Sequence, residues 1–71
     1  MSDKIDNDPL LADIEAALEL YEISPTRFGY AVAGDPALIK RMRDGMVLKT
    51  RRRARVEAGL KKIHEQGGLG L

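Results

Sequence analysis

Apolar residues in this chain recur at helical spacing. Leu11, Ile14, Leu18 and Tyr21 follow one another at intervals of three, four and three residues, which is one face of an α-helix. Leu10, Ala17 and Leu20 widen that stripe, while Asp13, Glu15, Glu19 and Glu22 lie away from its centre. A second group follows in Phe28, Ala31 and Val32, with Gly29 and Ala33 small enough to let another helix approach. A third is Leu38, Ile39 and Met42, in which Ile39 and Met42 share a face and Leu38 points partly to core and partly to solvent. Met46, Val47 and Leu48 form an apolar connector expected to tuck beneath the third helix. Val56, Leu60 and Ile63 form the last stripe, at spacings of four and three. No stretch alternates with the period of two that a half-buried strand needs. The pattern predicts an all-α fold, a small bundle of four to five helices.

Capping residues mark where these helices begin and end. Asp8 and Pro9 read as an N-cap and first helical residue, and Ser24 and Pro25 as a second such pair. Asp35 and Pro36 repeat the signal, so the third helix is expected over about 36–44, with Gly34 between the two caps and Gly45 as a left-handed stop. The second helix then runs from about Pro25 to Ala33. Thr50 is the best N-cap candidate for a fourth helix that starts near Lys49. Gly59, inside that helix, costs about 1 kcal/mol relative to Ala, which a close contact with another helix would explain. Residues 1–7 lack periodicity and are expected to be a disordered acidic tail. Residues 65–71 are expected to be a flexible tail, leaving 8–64 as the folded domain.

Charge sharpens this picture. The 71 residues carry a net charge of only +1, but the sum hides a strong polarity. Met1–Ile23 holds seven carboxylates against one lysine, and Ser24–Ile63 holds eleven Lys and Arg against three carboxylates. Arg51, Arg52, Arg53 and Arg55 crowd the start of the fourth helix, where cations oppose the helix dipole. A polyanion partner offsets that local cost. Pairing to the acidic first helix is the competing explanation.

Phe28–Gly45 resembles the helix-turn-helix of the phage-repressor-like family (Cro and related repressors, the XRE family). Phe28 and Gly29 match its opening large–small pair, Val32 the apolar position before the turn, Ile39 and Met42 the third-helix pair, and Gly45 the closing glycine. Val56 and Leu60 continue the match into the fourth helix. The resemblance covers roughly Leu11 to Ile63. It departs where Ala33 and Gly34 stand in the turn, where Pro36 and Ala37 open the third helix, and where Arg53 occupies a position usually apolar. It implies a lambda-repressor-like fold and a sequence-specific regulator of transcription that binds double-stranded DNA, of bacterial or phage type.

On that reading the third helix enters the major groove. Lys40 and Arg41 read base edges through guanine O6 and N7, and Ala37 meets a thymine methyl. Thr26, Arg27, Arg43, Lys49, Arg51, Arg52 and Arg53 are the phosphate contacts. A homodimer on two half-sites is a further expectation, with Leu10, Leu48, Leu69 or Leu71 as its apolar surface. The alternative is a protein-interaction module of the same fold that grips an acidic partner or regulates another DNA-binding protein. No enzyme is expected: there is no cysteine, a single histidine and no converging set of carboxylates. His64 reads as a helix-end cation. No metal, cofactor, small-molecule substrate or membrane span is expected. A polar, acidic N-terminus unlike a signal peptide makes the cytoplasm, and the nucleoid when bound, the expected location.

Overall fold

The computed structural model describes residues 7–69. They form four helices, α1 (Pro9–Leu20), α2 (Pro25–Ala33), α3 (Leu38–Arg43) and α4 (Thr50–Gln66), with no strand among the described residues. α2 packs on α3 and α4, and α1 packs on the same two helices. The expectations for residues 1–6, 70 and 71 lie outside the described residues.

One core joins all four helices. Leu10, Leu11, Ile14, Ala17 and Leu18 enter it from α1, Phe28 from α2, Leu38, Ile39 and Met42 from α3, and Val56, Leu60 and Ile63 from α4. Ile23 and Leu48 close it from the connections. Three positions depart from the periodicity. Leu38 is fully buried rather than half-solvated, because a helix of only six residues anchors itself by burying every apolar side chain it has. Leu20, at the end of α1, is 67% exposed, and Ala31 also faces solvent. In the connector, Leu48 is buried and Met46 packs against the core, while Val47 stays exposed.

The helix starts follow the capping residues in two cases of four. The Asp8 carboxylate accepts the Leu10 N–H at 3.0 Å and the Ser24 hydroxyl accepts the Arg27 N–H at 3.1 Å, each followed by proline in the first turn. The other two starts differ. Asp35 and Pro36 do not open α3 but form a turn before it. The Asp35 carboxylate takes the Ala37 N–H at 3.0 Å and its carbonyl takes the Leu38 N–H at 3.0 Å. Proline suits the second position of such a turn as well as it suits a first helical turn, so both readings share one sequence signal. α4 is capped by Lys49, without a side-chain bond, and Thr50 is its first residue.

All four helices end alike. The residue after the last turn has positive φ: 55° at Glu22, 66° at Gly34, 109° at Gly45 and 76° at Gly67. The next N–H reaches back five residues after α1, α3 and α4 (Ile23 to Leu18, Met46 to Arg41 and Gly68 to Ile63) and six after α2 (Asp35 to Gly29), at 2.9–3.1 Å. This closure satisfies carbonyls that a helix end would otherwise leave bare. The flexible tail expected over 65–71 is not what the described part of it, residues 65–69, forms. Glu65 and Gln66 are helical, and Leu69 packs back against the core.

Gly59 has the close contact that its cost implied. A Cβ there would lie 2.5 Å from Val32 Cγ1 and 2.9 Å from Val32 Cβ, so α2 and α4 touch with no room for a methyl group. Gly29 plays the same part toward the turn, where a Cβ would meet the Asp35 carbonyl and lie 3.1 Å from Leu38 Cβ.

Two substitutions test these points by thermal unfolding. Glu22 is the only non-glycine at positive φ among the described residues, a conformation costing about 1–2 kcal/mol for an L side chain. Glu22→Gly is expected to raise the melting temperature by roughly 4–8 °C, the shift that about 1 kcal/mol gives in a domain this small. Gly59→Ala is expected to lower it despite alanine's better helix propensity, since overpacking costs about 1–3 kcal/mol. Adding Val32→Ala should recover most of that loss.

Candidate functional site

The charged residues singled out in the sequence divide according to their partners. Lys40 and Arg41 project outward from α3, opposite a face on which Leu38, Ile39 and Met42 have no exposure at all. Ala37 lies in the turn before α3, half-buried, with its N–H taken by Asp35. Thr26 and Arg27 are exposed in the first turn of α2, and Ser24 occupies the Arg27 N–H. Lys49 and Arg51 are exposed at the start of α4. Among the described residues, Arg27, Lys40, Lys49 and Arg51 are in none of the four ion pairs.

Those four pairs take Arg41, Arg43, Arg52 and Arg53. Arg41 donates to Asp35 Oδ2 at 2.8 Å, and Arg52 approaches the same oxygen at 3.5 Å, a contact at the limit of a hydrogen bond. One carboxylate thus gathers an arginine from α3 and another from α4. Arg43 forks onto Glu15 of α1 with two bonds of 2.7 and 2.8 Å. The Arg43 hydrogen bonds hold the Glu15 carboxyl below the usual glutamate range, against a smaller upward push from partial burial. The same pairing raises Arg43 still further. Both side chains remain substantially exposed, so the pair contributes only about 0.2–1 kcal/mol.

Arg53 has another role. Its guanidinium donates to the buried Asp8 carboxylate and to the Leu48 carbonyl, the latter at 3.3 Å. Asp8 Oδ2 also accepts the Leu48 N–H at 2.9 Å, and Oδ1 the Leu10 N–H. Asp8 therefore ties the start of α1, the connector and the first turn of α4. Burial pushes its carboxyl up, but the Leu10 and Leu48 N–H groups and Arg53 together pull it below the usual aspartate range. Of the residues expected to contact phosphate, Arg53 is the one whose charge compensates a buried carboxylate. The apolar position it fills in the resembled pattern is served here by an ion pair.

The acidic N-terminal part accounts for one arginine of the run, Arg53 on Asp8, while Glu15 takes Arg43 of α3 instead. Glu19 and Glu22 make no ion pair among the described residues. His64 accepts or shares a hydrogen bond with the Tyr21 hydroxyl at 2.9 Å, with the rings edge-to-face at 5.5 Å. It ties the end of α1 to the end of α4. Of the residues expected to form a dimer surface, Leu10 and Leu48 are buried, Leu69 packs on the core, and Leu71 lies outside the described residues. Among the described residues no three His, Asp or Glu side chains cluster as metal ligands, and no helix is long and apolar enough to cross a membrane.

Three carboxylates that organise this surface were not singled out for that role: Asp8, Glu15 and Asp35. Asp8 and Asp35 were visible as caps, but their arginine partners lie up to 45 residues away, beyond any local signal. No family model, curated protein or solved structure matches the chain.

Asp8→Ala should cost about 3–5 kcal/mol, the loss expected when one partner of a buried pair is removed, and should drop the melting temperature steeply. The sign with pH follows from the lowered Asp8 carboxyl. Its stabilisation is fully present above the unfolded-state value, near pH 4, and is lost as pH falls through the lower folded-state value. Acid titration followed by circular dichroism should show stability falling below about pH 4, with a shallower fall in Asp8→Asn.

Proposed function

We propose that this chain is a sequence-specific double-stranded DNA-binding transcriptional regulator, with α2 and α3 as a lambda-repressor-like helix-turn-helix and α3 in the major groove. The observation that supports it best is the division of α3. Every apolar side chain of this short helix is buried, and its remaining side chains, Lys40, Arg41 and Arg43, are basic and exposed. Arg52 meets Arg41 at Asp35, so the basic surface continues from α3 onto the start of α4. A helix held by its inner face, with donors on its outer face, is what groove recognition requires.

Base reading then falls on Lys40 and Arg41. Ala37, in the turn and half-buried, offers at most its methyl group. Lys49, Arg51, Arg52, Thr26 and Arg27 supply phosphate contacts, and Arg43 joins them only by releasing Glu15. A second reading draws on the same ion pairs. Arg41, Arg43 and Arg52 already rest on carboxylates of their own chain, which an acidic protein partner would replace as readily as phosphate. For a homodimer, Leu20, Tyr30 and Val47 are the large apolar side chains exposed among the described residues.

Fluorescence anisotropy of labelled duplexes across a salt series, after selection from random sequence, separates the two readings. Lys40→Ala with Arg41→Ala should abolish preference among sequences. Arg51→Ala should weaken binding to all duplexes alike and reduce the log–log salt slope by about 0.9. Unchanged binding of the selected sequence by the double variant would show that α3 does not read DNA.

A further inference from the structure

Asp35 is held more firmly than a surface aspartate. Its N–H is bonded to the Gly29 carbonyl at 3.1 Å, and its own carbonyl receives the Leu38 N–H at 3.0 Å. That carbonyl sits so close to Gly29 that no Cβ fits between them, so the backbone is seated directly on α2. Oδ1 is engaged by the Ala37 N–H, which fixes the carboxyl plane and turns Oδ2 toward the arginines. The side chain is only 15% exposed, whereas that of Arg41 is 56% exposed. A rigid acceptor therefore grips one nitrogen of a long, otherwise mobile side chain.

Arg41 spends only Nη1 on Asp35. Its Nε and Nη2 make no hydrogen bond among the described residues, and together they form the edge that forks onto a pair of acceptors. An arginine held in this way has lost much of its rotamer freedom before it meets a ligand. The carboxylate has a second effect, because a negative charge beside the basic surface disfavours phosphates that approach without the correct base contact.

We infer that Asp35 is a positioning residue of the reading face. It presents the free edge of Arg41 to one base pair, and its charge holds down binding to non-cognate DNA. The inference rests on the DNA-binding reading above and deepens it: Arg41 discriminates, and Asp35 makes it discriminate.

The test is a double-substitution cycle between Asp35→Asn and Arg41→Ala, with affinity measured for the selected duplex and for a scrambled one. Asparagine keeps the side-chain oxygen that caps the turn, so folding is monitored by melting temperature and should change little. Asp35→Asn is expected to weaken selected-duplex binding about tenfold, to leave scrambled-duplex binding equal or tighter, and to have no further effect on their ratio once Arg41 is Ala. Asp35→Glu, which restores the charge, should recover part of the ratio. An unchanged ratio in Asp35→Asn overturns the inference, as does the same loss with and without Arg41, and in both cases DNA binding by the wild-type chain stands. If the wild-type chain binds no duplex, the DNA reading and this inference fall together.

Discussion

A buried carboxylate, Asp8, is the constraint on which this small fold depends. It collects the Leu10 N–H, the Leu48 N–H and the Arg53 guanidinium, and so joins three parts of the chain that have no covalent reason to meet. Taking a carboxylate out of water is expensive, and the expense is offset only where nearly every lone pair finds a donor. Asp8 meets that condition, and among the described residues no buried side-chain nitrogen or oxygen lacks a hydrogen-bond partner. The ion pair also sets a direction: α4 can begin only where Arg53 reaches Asp8. That places Arg51 and Arg52, which project from the same turn, in a defined relation to α1.

A thin core gives this ion pair its importance. A domain of this size buries a smaller share of its surface than a larger one, so each element must use its apolar residues fully. α3 buries Leu38, Ile39 and Met42 completely. Close approach supplies the rest. Gly59 lets α4 lie against Val32, and Gly29 lets the turn before α3 lie on α2. The repeated closure of all four helix ends shortens the connections, so little chain is spent between packed elements.

The basic surface is less free than the charge count suggests. Carboxylates of the same chain sit on Arg41, Arg43, Arg52 and Arg53 with different consequences. Asp8 engages the half-buried Arg53 to compensate a buried carboxylate. Glu15 holds Arg43 by a pair exposed enough to exchange for a phosphate at little cost. Asp35 holds Arg41 by one nitrogen and leaves the other edge open. The uneven distribution turns a run of like charges into side chains with separate duties, and Lys40 and Arg51 are the most available of them.

Local patterns sufficed for the all-helical class, the α4 stripe in full and most of the other three, the α1 and α2 caps and the Gly45 stop, because each rests on residues within about one turn of one another. They also marked Gly59 as a close contact, since an interior glycine costs enough to need a reason. Where a local signal served two structures, it misled: Asp35 and Pro36 suit a turn as well as a helix start, and the choice fell to the seating of Asp35 on Gly29. Leu20 shares the periodicity of its stripe yet stays exposed, because periodicity says which residues share a face but not how far a neighbour covers it. Which arginines face outward is a matter of packing. Arg51, Arg52 and Arg53 are adjacent and chemically alike, and what separates them is whether Asp35 or Asp8 stands within reach, a matter of how distant helices pack.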